Sequence, residues 1–181
     1  MSRLTQTPSQ TVGPFFSIGM PCDPYGVPVN DEADGERIRI EGTVFDGAGS
    51  PIDDALIEVW QADAAGRYGA PGFIGFRRAA TGADGSYALE TVKPGPVDAT
   101  GGGRPAPHLN IAIFARGMLL HAFTRMYFSD DDPAGRDPVL MRVDPARVET
   151  LVARRSERDG RGVYGWDIHL QGDRETVFFD A

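Results

Sequence analysis

The chain has few of the residues that mark a metal, phosphate or disulfide site. A single cysteine, Cys22, among 181 residues leaves no partner for an internal disulfide and fits a reducing compartment. The three histidines, His108, His121 and His169, show neither zinc-module spacing nor an HExxH frame. Gly101–Gly102–Gly103 is not followed by the Lys-Ser/Thr pair of a phosphate loop, and a GxSxG elbow is absent. Cations are in the minority: 18 Lys and Arg stand against 26 Asp and Glu, for a net charge of −8. Phosphate contacts need clustered Lys and Arg, so a general nucleic-acid or anionic-membrane surface is excluded. No run approaches the ~18 apolar residues of a membrane span. The first residues, MSRLTQTPSQTVGP, hold no apolar signal core, so a cytoplasmic location is expected.

What is plentiful is punctuation. With 23 Gly and 14 Pro, the composition suits an all-β domain with many turns. The length and a hydrophobic content of 41% allow one domain, residues 1–181, with a real core. Residues 1–36 carry little periodicity and read as an irregular N-terminal arm. An exposed Phe15–Phe16 pair would be costly, so the arm packs on its own domain or reaches a partner chain. Strands are expected at Ile38–Phe45, at Ala55–Ala62 and, irregularly, within GFIGFRRAAT. TGADGSYALETV reads as a hairpin turning at Ala83–Asp84–Gly85, stopped by Lys93–Pro94–Gly95–Pro96. Asp144–Pro145 followed by ARVETLVARR predicts a short helix near 145–155, with Pro early and Arg late. A last hairpin is expected in RDGRGVYGWDIHLQGDRETVFFD, turning at Gly172–Asp173, with Tyr164, Trp166, Ile168 and Leu170 on one face. Short strands at this spacing read as a β-sandwich or barrel, with long loops between them.

The stretch Pro107–Phe128, PHLNIAIFARGMLLHAFTRMYF, organises the rest. It reads as two strands joined at Arg116–Gly117, the second running from Leu119 to Phe128. His108, Asn110 and Arg116 share one parity, so a regular strand points them to one side. Such a trio is either a polar core network or the wall of a pocket. A buried or rim histidine, a half-buried loop tyrosine at Tyr68 and a surface charge at Arg116 are the plain readings. A guanidinium clamp for a carboxylate is the sharper one.

The segments TPSQTVGPFFSIG, ALIEVWQADAAGRYG, TVKPGP, PHLNIAIFARG, HAFTRMYF and GDRETVFFD together resemble the bacterial intradiol ring-cleaving dioxygenase family, in its two-subunit form. The likeness runs in order from about Thr7 to the C-terminus, with a shorter loop between AGRYG and FRR than in some relatives. It implies a β-sandwich core and paired α and β subunits in a larger oligomer. It also implies a non-haem Fe(III) held in the β subunit by two tyrosines and two histidines. Tyr68 matches the first tyrosine and His108 the first histidine. Val97 stands where the iron-bearing subunit has its second tyrosine, and Asn110 where it has its second histidine. Valine has no lone pair and a neutral amide is a poor Fe(III) ligand, so this chain is expected to hold no iron. By the same resemblance Thr11, Gly13 and Pro14 of the arm, with Arg116, line the substrate pocket of the partner, whose substrates are a small dihydroxybenzoate and O2. Arg104 is one residue out of register with the family's arginine and receives no role. The rival expectations are a purely structural partner and a dioxygenase acting alone, the latter opposed by the missing donors.

Overall fold

Short strands of alternating polarity bury one face each, so they form a stable domain only by stacking two sheets. In the computed structural model, residue 19 and residues 33–97, 105–131, 133 and 137–180 are described. Thr11, Gly13, Pro14, Cys22 and Arg104 lie outside the described residues. The strands are β1 (Arg37–Phe45), β2 (Leu56–Trp60), β3 (Phe76–Ala80), β4 (Ser86–Val92), β5 (His108–Phe114), β6 (Ala122–Phe128), β7 (Val152–Arg158), β8 (Arg161–Gly165) and β9 (Ile168–His169). They pair in the order β3-β2-β5-β6-β7-β8-β1-β4, with β9 on β1. Among the described residues, strand pairing joins the two halves through a two-residue parallel ladder, Tyr127↔Val152 and Phe128↔Ala153. One core lies between them. It joins Ile38, Ile40 and Val44 of β1 to Ile57 and Val59 of β2 and to Leu109, Ile111 and Ile113 of β5. Among the described residues no helix is long and apolar enough to cross a membrane.

The all-β sandwich expectation holds, and three local expectations change. The turn at Ala83–Asp84–Gly85 does not close a hairpin: β3 pairs with β2, and β4 pairs with β1. Thr81 stays with the first sheet, its N–H donating to Ala55 O at 2.9 Å, while Gly85 O accepts from Val44 N of the second at 3.1 Å. The turn therefore carries the chain across the open edge of the sandwich. The helix near 145–155 is a 3-10 helix over Pro145–Leu151, capped by the Asp144 side chain, which accepts from Ala146 N. It ends there because Leu151 and Ala153 are both fully buried, which is a strand's period of two. Strand β7 follows, and Asp159 (φ 53°) and Gly160 (φ 73°) turn it into β8. Positive φ at both positions is the hairpin turn favoured by Asp-Gly. The last hairpin thus turns at Asp159–Gly160, not at Gly172–Asp173. Tyr164, Trp166, Ile168 and Leu170 do share the core. The second central strand begins at Ala122, not Leu119, and Leu119 and Leu120 are left 65% and 67% exposed on the connection.

A polar cluster holds the β7–β8 end. Lys93 Nζ pairs with Asp130 and Asp131 at 2.9 and 3.1 Å, and Arg155 pairs with Glu36 and Asp130 at 2.9 and 3.3 Å. Burial raises the Asp130 carboxyl, but the bonds from Lys93 and Tyr164 outweigh it and leave the pKa below its ordinary value. A carboxyl depressed by folding binds fewer protons in the folded state. Its contribution is present above the unfolded pKa and is lost as pH falls through the folded one. The melting temperature is expected to drop as pH falls below about 4. Asp130→Asn should flatten that slope, and an unchanged slope would remove Asp130 from the account.

Candidate functional site

The site is built from two loops and one strand. After β2 the chain closes a small ring around Asp63. Its Oδ1 accepts from Ala65 N and Arg67 N at 3.0 and 2.8 Å, and its Oδ2 from Arg67 Nε and Nη2 at 2.9 and 2.7 Å. Burial raises this carboxyl, and the Arg67 bonds override it and hold the pKa low. The ring presents Gly66, at φ +79°, to the Pro94–Val97 run. A side chain on Gly66 would put Cβ 2.1 Å from Pro96 O and 3.5 Å from Val97 Cα. Gly95 N donates to Asp63 O at 2.9 Å. The close approach brings Val97 to the loop that carries Tyr68.

Strand β5 supplies the other two positions. Asn110 lies opposite Trp60 of β2 and Arg125 of β6. Its Nδ2 donates to Trp60 O at 3.3 Å and to Tyr68 Oη at 2.8 Å. The Trp60 carbonyl can only accept, which fixes the amide orientation. The Trp60 and Tyr68 rings stack with centroids 5.9 Å apart. His108 is buried, with Nδ1 2.8 Å from Ala106 O. That carbonyl requires an N–H on Nδ1. Burial pulls the imidazole pKa down and nearby Arg125 adds to this, so His108 is neutral near pH 7. Behind it Tyr127 donates to Asp137 Oδ1 at 3.1 Å, and Asp137 also accepts from the N–H groups of Ala106, Val139 and Leu140 at 3.1, 2.8 and 3.2 Å. The histidine is locked by a closed network.

Tyr68, Val97, His108 and Asn110 thus gather at one end of the sandwich, and Arg116 does not join them. Strand β5 ends at Phe114, and Ala115–Met118 form a turn closed by Met118 N to Ala115 O at 3.1 Å, with Gly117 at φ +86°. The expectation that Arg116 shares a side with His108 and Asn110 is corrected on that ground. About 20 Å of strand separates the two ends. There Arg116 Nε sits 2.9 Å from Asp54 Oδ2 with the side chain 81% exposed. His121 lies against Phe114 and Phe123, and His169 is buried and stacked on Phe45.

These positions do not fit Fe(III). Val97 brings a hydrocarbon, and Asn110 aims a donor N–H at the phenol oxygen that a metal would need. Two potential ligands remain, one of them already accepting a hydrogen bond, where a trivalent ion calls for anionic and imidazole donors. Among the described residues no three His, Cys, Asp or Glu side chains converge on a common point. Sequence reasoning passed over Arg125 and Trp60. The signal for Arg125 was available: it is the one charged residue in the apolar run Ala122–Phe128.

A protein-family model described as Dioxygenase matches residues 12–172. The protocatechuate 3,4-dioxygenase alpha chain of Burkholderia cepacia is 44% identical over 201 aligned positions, covering 100% of both chains. The beta chain of that enzyme from the same organism is 34% identical over 164 positions, covering 81% of this chain and 69% of its own length. Among solved structures, the dioxygenase domain of a dioxygenase carbohydrate-binding protein fusion from Streptomyces sp. SirexAA-E superposes with a TM-score of 0.61 at 26% identity, covering 93% of this chain and 99% of that one. With a family model spanning most of its length and an alpha chain matching it end to end, this chain belongs to the intradiol dioxygenase family.

Proposed function

We propose that this chain is the non-iron subunit of a protocatechuate 3,4-dioxygenase, pairing with an iron-bearing beta subunit in an αβ oligomer. The reaction is insertion of both atoms of O2 into 3,4-dihydroxybenzoate between its hydroxylated carbons, giving 3-carboxy-cis,cis-muconate. Fe(III) in the partner supplies the activation of catechol and O2, and the present chain shapes the cavity. The observation that carries this reading is the Tyr68–Asn110 hydrogen bond at 2.8 Å. With Val97, it leaves two of the four ligand positions without a metal donor. The arm residues Thr11, Gly13 and Pro14 are proposed to line the partner's pocket.

Arg116 is proposed to serve that pocket too. It stands at the tip of the β5–β6 connection, and its ion pair to Asp54 engages Nε. Asp54 steadies the guanidinium while the exposed terminal nitrogens remain for a substrate carboxylate. A charge-assisted hydrogen bond lost from such a site costs about 1.5–3 kcal/mol. In the assembled enzyme Arg116→Ala is therefore expected to raise KM for 3,4-dihydroxybenzoate by roughly ten- to a hundredfold. Assembly and iron content should stay intact, and a catechol without the carboxylate should be little affected. The Asp54 pair also favours a second reading, in which Arg116 only stiffens the turn. Loss of assembly, or equal effects on both substrates, would select that structural role.

A further inference from the structure

A groove of about 740 Å³ opens beside Asn110, between the outer face of β5–β6, the 139–147 segment and the C-terminal residues 177–180. That volume is ample for a small ligand. Phe123, Phe178 and Phe179 contribute aromatic walls, and Phe179 N donates to Phe123 O at 2.8 Å, which fastens the C-terminal segment to β6. Three arginines line the same space: Arg125, Arg142 and Arg147. Arg147 is committed to Glu175, through the carbonyl at 2.9 Å and the carboxylate at 3.6 Å. Among the described residues Arg125 and Arg142 have no carboxylate partner. Most other described arginines of the chain meet a carboxylate, although Arg77 bonds only backbone carbonyls. The net charge of the chain is −8, and Arg39, Arg67, Arg78, Arg116, Arg155, Arg158 and Arg161 each close an ion pair. Of the carboxylates at the groove, Asp144 is engaged in capping Ala146 N at 3.0 Å, and Asp180 is exposed.

Arg125 hydrogen-bonds the Tyr127 hydroxyl, and guanidinium groups without a carboxylate partner beside aromatic walls select a planar anion with an apolar body. A fully hydrated inorganic anion would leave the rings unused, and a neutral ring would leave the arginines unused. We propose that this groove binds a small aromatic carboxylate, its ring against Phe123, Phe178 and Phe179 and its carboxylate on Arg125 and Arg142. The site belongs to this chain alone and does not rest on the choice of partner.

Equilibrium dialysis of labelled benzoate, which has no hydroxyl pair to cleave, tests it. The full chain should take up one benzoate per molecule, saturably. The complex with a beta subunit should bind one more benzoate per αβ pair than the same complex carrying Arg125→Gln and Arg142→Gln. The exposed Arg142→Gln alone, expected to melt like the parent, should weaken uptake at least ~tenfold, with ring cleavage at the partner's iron unchanged. Absence of saturable uptake, equal uptake by the variants, or displacement of benzoate by an equal concentration of sulfate would each overturn the proposal. So would loss of the site in the complex, which would mean that partner polypeptide fills the groove. Failure to assemble with a beta subunit would instead count against the proposed function, because dialysis of the chain by itself still reads the groove.

Discussion

Purified without a partner, the chain is expected to contain no stoichiometric iron and to leave 3,4-dihydroxybenzoate uncleaved. Co-expressed with a beta subunit, it should yield a complex with about one Fe(III) per αβ pair and full ring-cleavage activity, because the beta subunit is proposed to carry the complete donor set. The reason lies at Val97 and Asn110. Ferric iron is held against hydrolysis by several anionic and imidazole ligands acting together. Removing two of four takes away both charge and chelation, and metal affinity falls with each deprotonatable ligand lost. The geometry goes further than the sequence on this point, because Asn110 Nδ2 already donates to Tyr68 Oη at 2.8 Å. A metal would have to break that bond first. Elemental analysis and oxygen uptake, on the chain alone and on the complex, decide the matter. Stoichiometric iron and turnover in the isolated chain would sink the division of labour and the assignment of Val97 and Asn110 with it.

Gly42→Ala is expected to have the largest effect on folding. Gly42 sits inside β1 opposite Tyr87 of β4, and the Trp166 main chain lies over it. A Cβ there would be 1.8 Å from Trp166 O and 2.6 Å from Trp166 C. That main chain is pinned from both sides, with Trp166 N donating to Glu41 O at 2.9 Å and Trp166 O accepting from Tyr87 Oη at 2.7 Å. The indole Nε1 donates to Thr150 O at 2.9 Å. Backbone held in this way has nowhere to go, so even a methyl group parts β1 from the 165–168 segment and opens the sandwich edge. A loss of about 4 kcal/mol or more is expected, a large share of the total stability of such a domain. In thermal unfolding this reads as a drop of roughly 10 °C or as failure to accumulate folded protein. Gly165→Ala is the control. It lies in the adjoining strand, yet its added Cβ would meet nothing nearer than Arg154 O at 4.0 Å, so it should melt within about 2 °C of the parent. Equal melting of Gly42→Ala and the parent would show that the 166 segment yields.

The strands that alternate cleanly were legible before any coordinates. Ile38, Ile40 and Val44 on one side, and Tyr164, Trp166, Ile168 and Leu170 on another, all reach the core. Alternation is a local property, and burial of one face follows from it. Pairing partners were not legible in the same way. The segments around Gly82–Gly85 look like a hairpin because its turn signal is local. Whether the flanking strands stay together depends on β2 and β1, distant in sequence, and these take β3 and β4 apart. Residues 145–158 misled for the opposite reason. Pro at the start and Arg at the end favour a helix, but pairing with β6 and β8 outweighs that preference from Val152 onward.

The sequence by itself determined the fold class, the family and the shortage of donors at the proposed iron position, because donor atoms belong to residue types and need no coordinates. Val97 lacks a lone pair in any fold. Tertiary structure alone decided what Asn110 bonds and where the charges go. It set Asn110 on Tyr68, separated Arg116 from both, and brought Arg125 of β6 and Arg142 of the 140–142 turn to one groove with the C-terminal segment. Contacts of that kind depend on strand register and on close glycine packing, as at Gly66 and Gly42, and register is fixed by the whole sandwich rather than by any stretch of it.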